Sequence, residues 1–255
     1  MEFIDTHCHL YLPEFKADLD QVILLAESAG IKKFYLPSID SSVIDNILNL
    51  EEKYPGKCHA MIGLHPCSVN ENYKQELDQI TQFLKKISFA AIGEIGLDFY
   101  WSTVFQKQQY EAFEIQMTWA LEKNLPVVIH TRNAMQQTID FVMPFSERGL
   151  KGIFHCFGGS YEDAVKIMDM NFYLGIGGVL TYKKSGLDEV LKKVPMEKIV
   201  LETDAPYLTP VPFRGKRNES SYIKIIAEKL AEVKGISLKE VAAITTANAE
   251  NVFGK

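Results

Sequence analysis

Several features that mark other classes of protein are missing from this 255-residue sequence. It has no apolar run approaching the ~20 residues that cross a bilayer. Its opening segment, MEFIDTHCHL, has neither a basic region nor the cleavage site of a secretory signal. We therefore exclude membrane spanning and expect a cytoplasmic protein. Low-complexity tracts and Pro/Gly/Ser-rich linkers are also lacking, so we expect one folded domain over residues 1–255.

Cysteine and positive charge are both scarce. The four cysteines show no CxxC spacing, which predicts reduced thiols without an assigned role. A formal net charge of −6 argues against a broad surface that coats nucleic acid, because such binding depends on clustered Lys and Arg. The one dense basic cluster is Arg214, Lys216 and Arg217. Any nucleic acid must therefore be held locally, and no segment indicates an obligatory protein partner.

The sequence alternates between β-rich and helical segments. Eight short apolar runs begin near residues 3, 31, 59, 89, 126, 152, 172 and 198. Helical spacing follows them, most clearly from Gln106 to Asn124, and a capping-box pair, Ser237 and Glu240, begins a last helix. Eight strands with intervening helices favour a closed parallel barrel, and the first strand lacks the Gly-rich loop of a doubly wound sheet. We predict a single TIM-like (β/α)₈ barrel with C-terminal helices.

Metal-binding residue types follow the predicted strands, where such barrels carry their active sites. Five of the six histidines fall there. His7 and His9, at i and i+2, turn to one face of an extended segment and can bind one ion, with ordinary polar packing as the alternative. Glu94 lies among apolar residues, where a cation would offset the cost of burying its charge; a rim carboxylate facing water is the alternative. The proposed ligands are His7, His9, Glu94, His130, His155 and Asp204.

Strand order indicates how these ligands meet. A lone His at a strand end is more often a core residue, but His130 and His155 end adjacent strands, which favours ligation. Closure makes strands eight and one neighbours, so Asp204 can reach an ion held by His7 and His9. Four imidazoles and two carboxylates exceed the usual three protein ligands of one catalytic zinc, so two ions bridged by Glu94 fit better. Mg²⁺, Mn²⁺ and Zn²⁺ are all compatible.

Other polar residues are candidates for catalysis and for substrate contacts. His65, in a GLHP turn, is read as a phosphate-contacting or ligand-supporting group, or else as a turn residue. Arg132 can clamp a phosphate or form a surface ion pair. The basic cluster defined above would follow strand eight and can guide an anionic chain, or it is a solvated loop. Carboxylates that support the ligands are expected at Asp5, Asp98 and Glu202.

An aromatic trio, Phe99, Tyr100 and Trp101, follows Glu94 and Asp98. One ring, for which Tyr100 is our candidate, can stack on a nucleobase. At least one of the three is expected to pack into the core instead.

These residues resemble the TatD-type metal-dependent deoxyribonucleases of the amidohydrolase-like superfamily. The matching pieces span nearly the whole chain: IDTHCHL, IGLHP, AIGEIGLDFYW, PVVIHTR, FHCFGG, ETDAPYLTPVPFRGKRNE and TTANAENVFG. The chain departs from the family where Asn133 often is Asp, Phe213 often is His, and Ser220 or Ser221 often is Pro. None of these is a proposed ligand, so substrate contacts rather than metal binding are affected.

The resemblance implies a barrel with two divalent ions, the first held by His7, His9, Glu94 and Asp204, the second by Glu94, His130 and His155. It also implies phosphodiester hydrolysis, often with 3′ to 5′ exonuclease polarity on single-stranded or damaged DNA. A metal-activated water would attack phosphorus while Asp204 accepts or orients its proton. One alternative is a metal-dependent hydrolase of another ester or amide bond, although that branch often carries a carboxylated Lys where this chain has Glu94. The other alternative is a non-catalytic binding protein in which the ions only stabilise the barrel.

Overall fold

An eight-stranded sheet forms the centre of the computed structural model, which describes residues 1–254. Strands that follow one another along the chain pair side by side and in parallel. The strands are β1 (Phe3–Asp5), β2 (Ile31–Leu36), β3 (Cys58–Ile62), β4 (Ala91–Asp98), β5 (Val127–Arg132), β6 (Gly152–Phe154), β7 (Tyr173–Ile176) and β8 (Ile199–Leu201).

Hydrogen bonds just beyond the strand ends join β8 to β1. The Thr6 N–H donates to the Leu201 carbonyl at 3.1 Å, and the Asp204 N–H donates to the His7 carbonyl at 2.9 Å. The sheet is thus a nearly closed barrel, and the predicted (β/α)₈ architecture is confirmed.

Helices alternate with the strands and two close the chain. They are α1 (Leu19–Ala29), α2 (Ile44–Lys53), α3 (Tyr73–Leu84), α4 (Gln106–Lys123), α5 (Met135–Ser146), α6 (Tyr161–Asp169), α7 (Leu187–Leu191), α8 (Ile223–Lys234) and α9 (Leu238–Phe253). Among residues 1–254, none of these helices combines the length and the apolar character needed to cross a membrane.

Local sequence explains where the predicted helices begin and end. Asn124 adopts the left-handed conformation (φ 52°) that closes α4. Gly30 closes α1 with φ 102°, which costs a glycine little. At the start of α9, Ser237 and Glu240 form the predicted capping box.

Helix α9 lies across the N-terminal end of the barrel. Its Ala249 and Val252 pack against barrel residues that include Ile4, Met61 and Val128. The side-chain amide of Asn248 donates to the carbonyls of Met196 and Ile199, at the start of β8, at 2.7 Å each. This end is therefore filled by apolar packing, and the C-terminal ends of the strands remain for polar chemistry.

Candidate metal centre

All six proposed ligands converge at the C-terminal end of the barrel, although they are spread over nearly 200 positions of sequence. His7 and His9 follow β1, His155 follows β6 and Asp204 follows β8, as expected. Glu94 and His130 lie within β4 and β5, because these two strands run further than the sequence predicted. The β4–β5 register shifts between Gly93 and Ile95, so Glu94 lies in an irregularity of its strand. Such bulges turn a side chain away from regular alternation, here into the cluster.

The Glu94 carboxylate occupies the middle of this cluster. Its Oε2 lies 3.2 Å from His7 Nε2, and its Oε1 lies 3.2 Å from His155 Nε2 and 2.8 Å from His130 Nδ1. Burial alone raises the pKa of Glu94, but the surrounding imidazoles, with those of His65, His155 and His7 prominent, hold it well below its usual value. The carboxylate is therefore ionised and faces histidines on both sides.

Asp204 and the two histidines after β1 form one side of the cluster. Asp204 Oδ1 lies 3.4 Å from His9 Nε2 and 3.7 Å from His7 Nε2. Burial raises its pKa, but the neighbouring rings of His9, His155 and His7 lower it overall. Its backbone φ of 57° is one that Asp tolerates better than most residues. Asp204 is thus an anion, and 15 % of its side chain is open to solvent.

The distances between the donor atoms are similar to those between the ligands of a bound metal ion. His7 Nε2 and His9 Nε2 lie 3.2 Å apart, close to the separation of two nitrogens at about 2.0–2.1 Å from one tetrahedral ion. Three groups have donor atoms within 4.8 Å of one another: His7, His155 and Asp204; His7, His9 and Glu94; and His65, Glu94 and His130. His7 Nδ1 is buried without a hydrogen-bond partner, and burial lowers the pKa of His7, so its ring is neutral and can ligate. The residues present therefore fit divalent cations.

The hydrogen bond to Tyr11 fixes which nitrogen of His9 faces the cluster. The Tyr11 hydroxyl donates its single hydrogen to the Pro37 carbonyl at 2.8 Å. It must then accept from His9 Nδ1, 2.8 Å away, so His9 Nδ1 carries the proton and Nε2 presents a lone pair. Tyr11, two positions after His9, was not singled out from the sequence, because nothing in the sequence brings it against Pro37.

Two carboxylates that the sequence led us to expect as supports contact His130, in β5, and His155, just after β6. Asp98 Oδ2 lies 2.9 Å from His130 Nε2, which leaves Nδ1 for the cluster. Glu202 Oε1 accepts from His155 Nδ1 at 3.1 Å and also from the Cys156 backbone N–H. Such partners set the tautomer of a metal-binding histidine and raise its basicity. Asp5, also predicted to support the site, accepts from Thr203 and Ser220 behind β1.

His65 differs from the other histidines in its tautomer. Its Nδ1 accepts the Cys67 backbone N–H at 3.0 Å, and burial lowers the pKa of the ring. A neutral imidazole that accepts at Nδ1 carries its proton on Nε2. That Nε2 lies 3.4 Å from Glu94 Oε1, so His65 directs an N–H into the cluster rather than a lone pair.

The predicted substrate residues have different surroundings. The Arg132 guanidinium lies 3.9 Å from the Tyr100 ring centre, and within residues 1–254 it has no ion-pair partner. Arg217 instead pairs with both oxygens of Asp18, at 2.8 and 2.7 Å, and donates to the Glu14 carbonyl, so its charge is already engaged.

The two remaining basic side chains of the predicted cluster lie over aromatic rings. Arg214 is 4.0 Å from the Tyr182 ring centre, and Lys216 is 5.6 Å from that of Phe213. The three side chains of the predicted basic cluster therefore have different contacts, and their role in substrate binding stays a prediction. Of the aromatic trio, Phe99 packs against the core while Tyr100 and Trp101 are exposed, as the sequence led us to expect.

Known proteins resemble this chain over almost its full length. The model of the TatD related DNase family matches residues 4–254. An uncharacterized metal-dependent hydrolase, YabD, of Bacillus subtilis (strain 168) is 38 % identical over 250 residues, covering 98 % of each chain. The 3'-5' ssDNA/RNA exonuclease TatD of Salmonella typhimurium is 32 % identical over 256 residues, again covering 98 % of each.

The fold is found again among solved structures. YJJV, a TatD homolog from Escherichia coli K12, superposes with a TM-score of 0.93 at 28 % identity, covering 99 % of this chain and 98 % of that one. The chain belongs to the TatD related DNase family, a family of metal-dependent hydrolases acting on ester bonds.

Proposed function

We propose that this protein is a divalent-metal-dependent phosphodiesterase that removes nucleotides from the 3′ ends of single-stranded or damaged DNA. The observation that carries the proposal is the position of Glu94, whose two oxygens face different groups of histidines. Family membership supports hydrolysis of an ester bond. The Salmonella relative, described as a 3'-5' ssDNA/RNA exonuclease, supports the nucleic-acid substrate and the polarity.

We further propose two divalent ions, Mg²⁺, Mn²⁺ or Zn²⁺, sharing Glu94. His7, His9 and Asp204 would hold the first with it, and His130 and His155 the second. Ions bound there would supply a water of lowered pKa and would neutralise charge on a phosphate. We propose two ions rather than one because the proposed ligands outnumber the usual three protein ligands of a single catalytic ion.

The residues of this chain provide the remaining chemistry. Asp204, ionised and open to solvent, would take the proton of the attacking water on a carboxylate oxygen. His65 would donate its Nε2–H to a phosphate oxygen, where negative charge grows in the transition state. Arg132, with its guanidinium free of acidic partners within the described chain, would bind a second phosphate oxygen or the next phosphate.

The proposal is tested by digesting oligonucleotides with metal-stripped protein resupplied with Mg²⁺, Mn²⁺ or Zn²⁺. We expect single-stranded DNA with a 5′ label to give a ladder that shortens from the 3′ end, faster than the duplex, with RNA run in parallel. Release of the 5′ label as a mononucleotide would contradict the proposed polarity. Equal turnover with and without added metal would contradict the proposed role of the metal. Absence of any metal-dependent phosphodiester cleavage would overturn the proposed function.

A Glu94→Ala variant provides the matching test of the residue that carries the proposal. Removing the shared carboxylate should abolish metal-dependent turnover and bring bound metal to less than one ion per chain, while far-ultraviolet circular dichroism stays unchanged. The natural control is Glu189→Ala, which removes an exposed carboxylate paired with Lys192 on the surface. Persistent activity of Glu94→Ala in excess metal would show that the assignment is wrong.

A further inference from the structure

Exposed aromatic rings flank the metal centre on two sides. Tyr100 and Trp101 are 52 % and 69 % exposed and lie two and three positions after Asp98, the partner of His130. Tyr207 is 52 % exposed, and its ring centre lies 6.1 Å from that of His9. His130 and His9 belong to opposite sides of the donor cluster, so the rings adjoin it from both directions. Large rings left in water beside a site mark a surface that a ligand covers.

The backbone holds these rings in place although their side chains are exposed. Asp98 Oδ1 accepts the backbone N–H of Tyr100 at 2.9 Å and of Trp101 at 3.3 Å. The Tyr207 N–H donates to the Asp204 carbonyl at 2.7 Å, and its own carbonyl accepts from the Asn218 amide at 2.6 Å. The backbone that carries each ring is therefore held to Asp98 or to Asp204. We call the Tyr100–Trp101 pair and the Tyr207 ring the two platforms.

Arg132 makes the platform beside β4 suited to a nucleotide. Its guanidinium lies over Tyr100 at 3.9 Å and 5.2 Å from the Trp101 ring centre, and no side-chain hydrogen bond of Arg132 occurs in the described part of the chain. A flat π surface next to unused N–H donors matches a base and the phosphate attached to it. The Tyr100 and Trp101 rings meet edge to face at 86°, so one base can lie against one of them without displacing the other.

We propose that the substrate binds with an unstacked nucleobase on each side of the cleaved phosphodiester, one against Tyr100–Trp101 and the other against Tyr207. This inference rests on the proposed function and specifies how its substrate is chosen. In a duplex both faces of a base are covered by its neighbours, so only an unpaired or frayed end offers two free bases at once. Selection of unpaired ends then follows from stacking, which any of the four bases can provide.

The first test removes rings and bases together. Trp101→Ala and Tyr207→Ala are compared on a single-stranded oligonucleotide and on two copies that carry an abasic residue at the 3′-terminal or the penultimate position. In the unaltered protein each missing base should lower kcat/KM about tenfold, within the range of stacking energies. Each variant should lose this discrimination at one of the two positions and keep it at the other. Unaltered discrimination at both positions in both variants would overturn the proposal.

Matched controls lie in the same two loops. Val104 is 78 % exposed and follows Trp101 closely, and Val211 is 42 % exposed and follows Tyr207. Val104→Ala and Val211→Ala remove apolar surface without removing a ring, so they should retain the full discrimination of the unaltered protein. If they lost it as the aromatic variants do, general apolar contact would replace stacking as the explanation.

A binding measurement separates this inference from the proposed function. The chain has two tryptophans, and Trp119→Phe leaves Trp101 as the only one. Oligothymidylate should quench its fluorescence, whereas a fully abasic strand of equal length should not. Quenching without any cleavage would refute the proposed activity and keep the base platform. Cleavage with equal responses to both strands would refute the platform and keep the activity.

Discussion

At the scale of single residues, hydrogen-bond partners decide what each histidine can do. His9 and His155 donate from Nδ1 and face the cluster with Nε2, whereas His65 accepts at Nδ1 and offers an N–H. The hydrogen bonds therefore suit His9 and His155 to the ligand role that we propose and His65 to the role of a donor. Their chemical difference comes from Tyr11, Glu202 and the Cys67 backbone, none of which binds metal in our assignment.

The His65 tautomer leads to a prediction that separates donor from ligand. His65→Ala should retain the full number of bound ions, because Nε2 carries a proton and does not ligate. It should lower kcat about 10²–10³-fold, the usual effect of removing one donor to a transition-state oxyanion. Ion stoichiometry measured by plasma emission, together with kcat on single-stranded DNA, tests this. Loss of one ion from the variant would make His65 a ligand.

A second residue-scale prediction concerns protons released when metal binds. Burial alone lowers the pKa of His130, but hydrogen bonds to Asp98 and Glu94 more than offset this and raise it. Burial also lowers the pKa of His155, yet the carboxylates of Glu202 and Glu94 raise it well above its usual value. The raised pKa values favour the protonated forms of both rings, and a metal bound to these rings must displace a proton. Metal affinity should therefore fall as pH falls, and protons should be released when metal binds.

Calorimetry in buffers of different ionisation enthalpy counts these protons. His59→Gln is the control, because His59 lies in β3, stacked on Tyr35, away from the metal centre. It should leave proton release unchanged. Metal affinity that stays constant between pH 6 and pH 8 would contradict the prediction.

At the scale of elements, strand β7 contributes to the site through the absence of a side chain. A Cβ on Gly175 would lie 2.2 Å from Glu202 Oε2, so the Glu202 carboxylate occupies the space that any other residue would fill. The Glu202 carboxylate in turn holds His155. Gly175, on a strand that carries none of the proposed ligands, thus leaves room for the carboxylate that holds the proposed ligand His155.

Gly175→Ala should therefore weaken metal binding about 10–100-fold, the usual effect of disturbing a partner that orients a ligand. Gly177→Ala, two positions on, is the matched control. Its added Cβ would come no closer than 3.4 Å to other atoms, which is ordinary contact. Metal titrations of both variants test this, and equal affinities in the two would contradict it.

At the scale of the whole molecule, the two ends of the barrel differ in the side chains that they contain. The C-terminal end gathers ionised and imidazole groups, and α9 fills the N-terminal end with apolar side chains. Phe253 stacks on Tyr35 there, with ring centres 3.7 Å apart. Stability and metal chemistry should therefore respond to different substitutions.

Phe253→Ala should lower the free energy of unfolding of the metal-free protein by about 2–3 kcal/mol, somewhat less than for a fully buried Phe. It should leave the metal dissociation constant unchanged. Urea denaturation and metal titration measure the two quantities. A change in metal affinity comparable to the loss of stability would show that the two ends are coupled.

Much of the fold, and the choice of the proposed ligands, could be predicted from local sequence. Eight apolar runs with intervening helical spacing predicted the barrel, and positions after those runs predicted His7, His9, His155 and Asp204. The strand lengths were harder to predict, since β4 and β5 continue to Asp98 and Arg132. Polar residues that the local pattern places after a strand are here part of the strand, because they pair with neighbouring strands. A local sequence pattern contains no information about that pairing.

The sequence by itself determined the alternation of strand and helix and the chemical types at the barrel mouth, because both depend on residues near one another in the chain. Tertiary structure alone decided which nitrogen of each histidine faces the cluster, that Arg217 is paired with Asp18 and that Tyr207 lies beside His9. These outcomes depend on contacts between distant segments. A hydrogen bond or an ion pair acts over a few ångströms of space, whatever the separation along the chain.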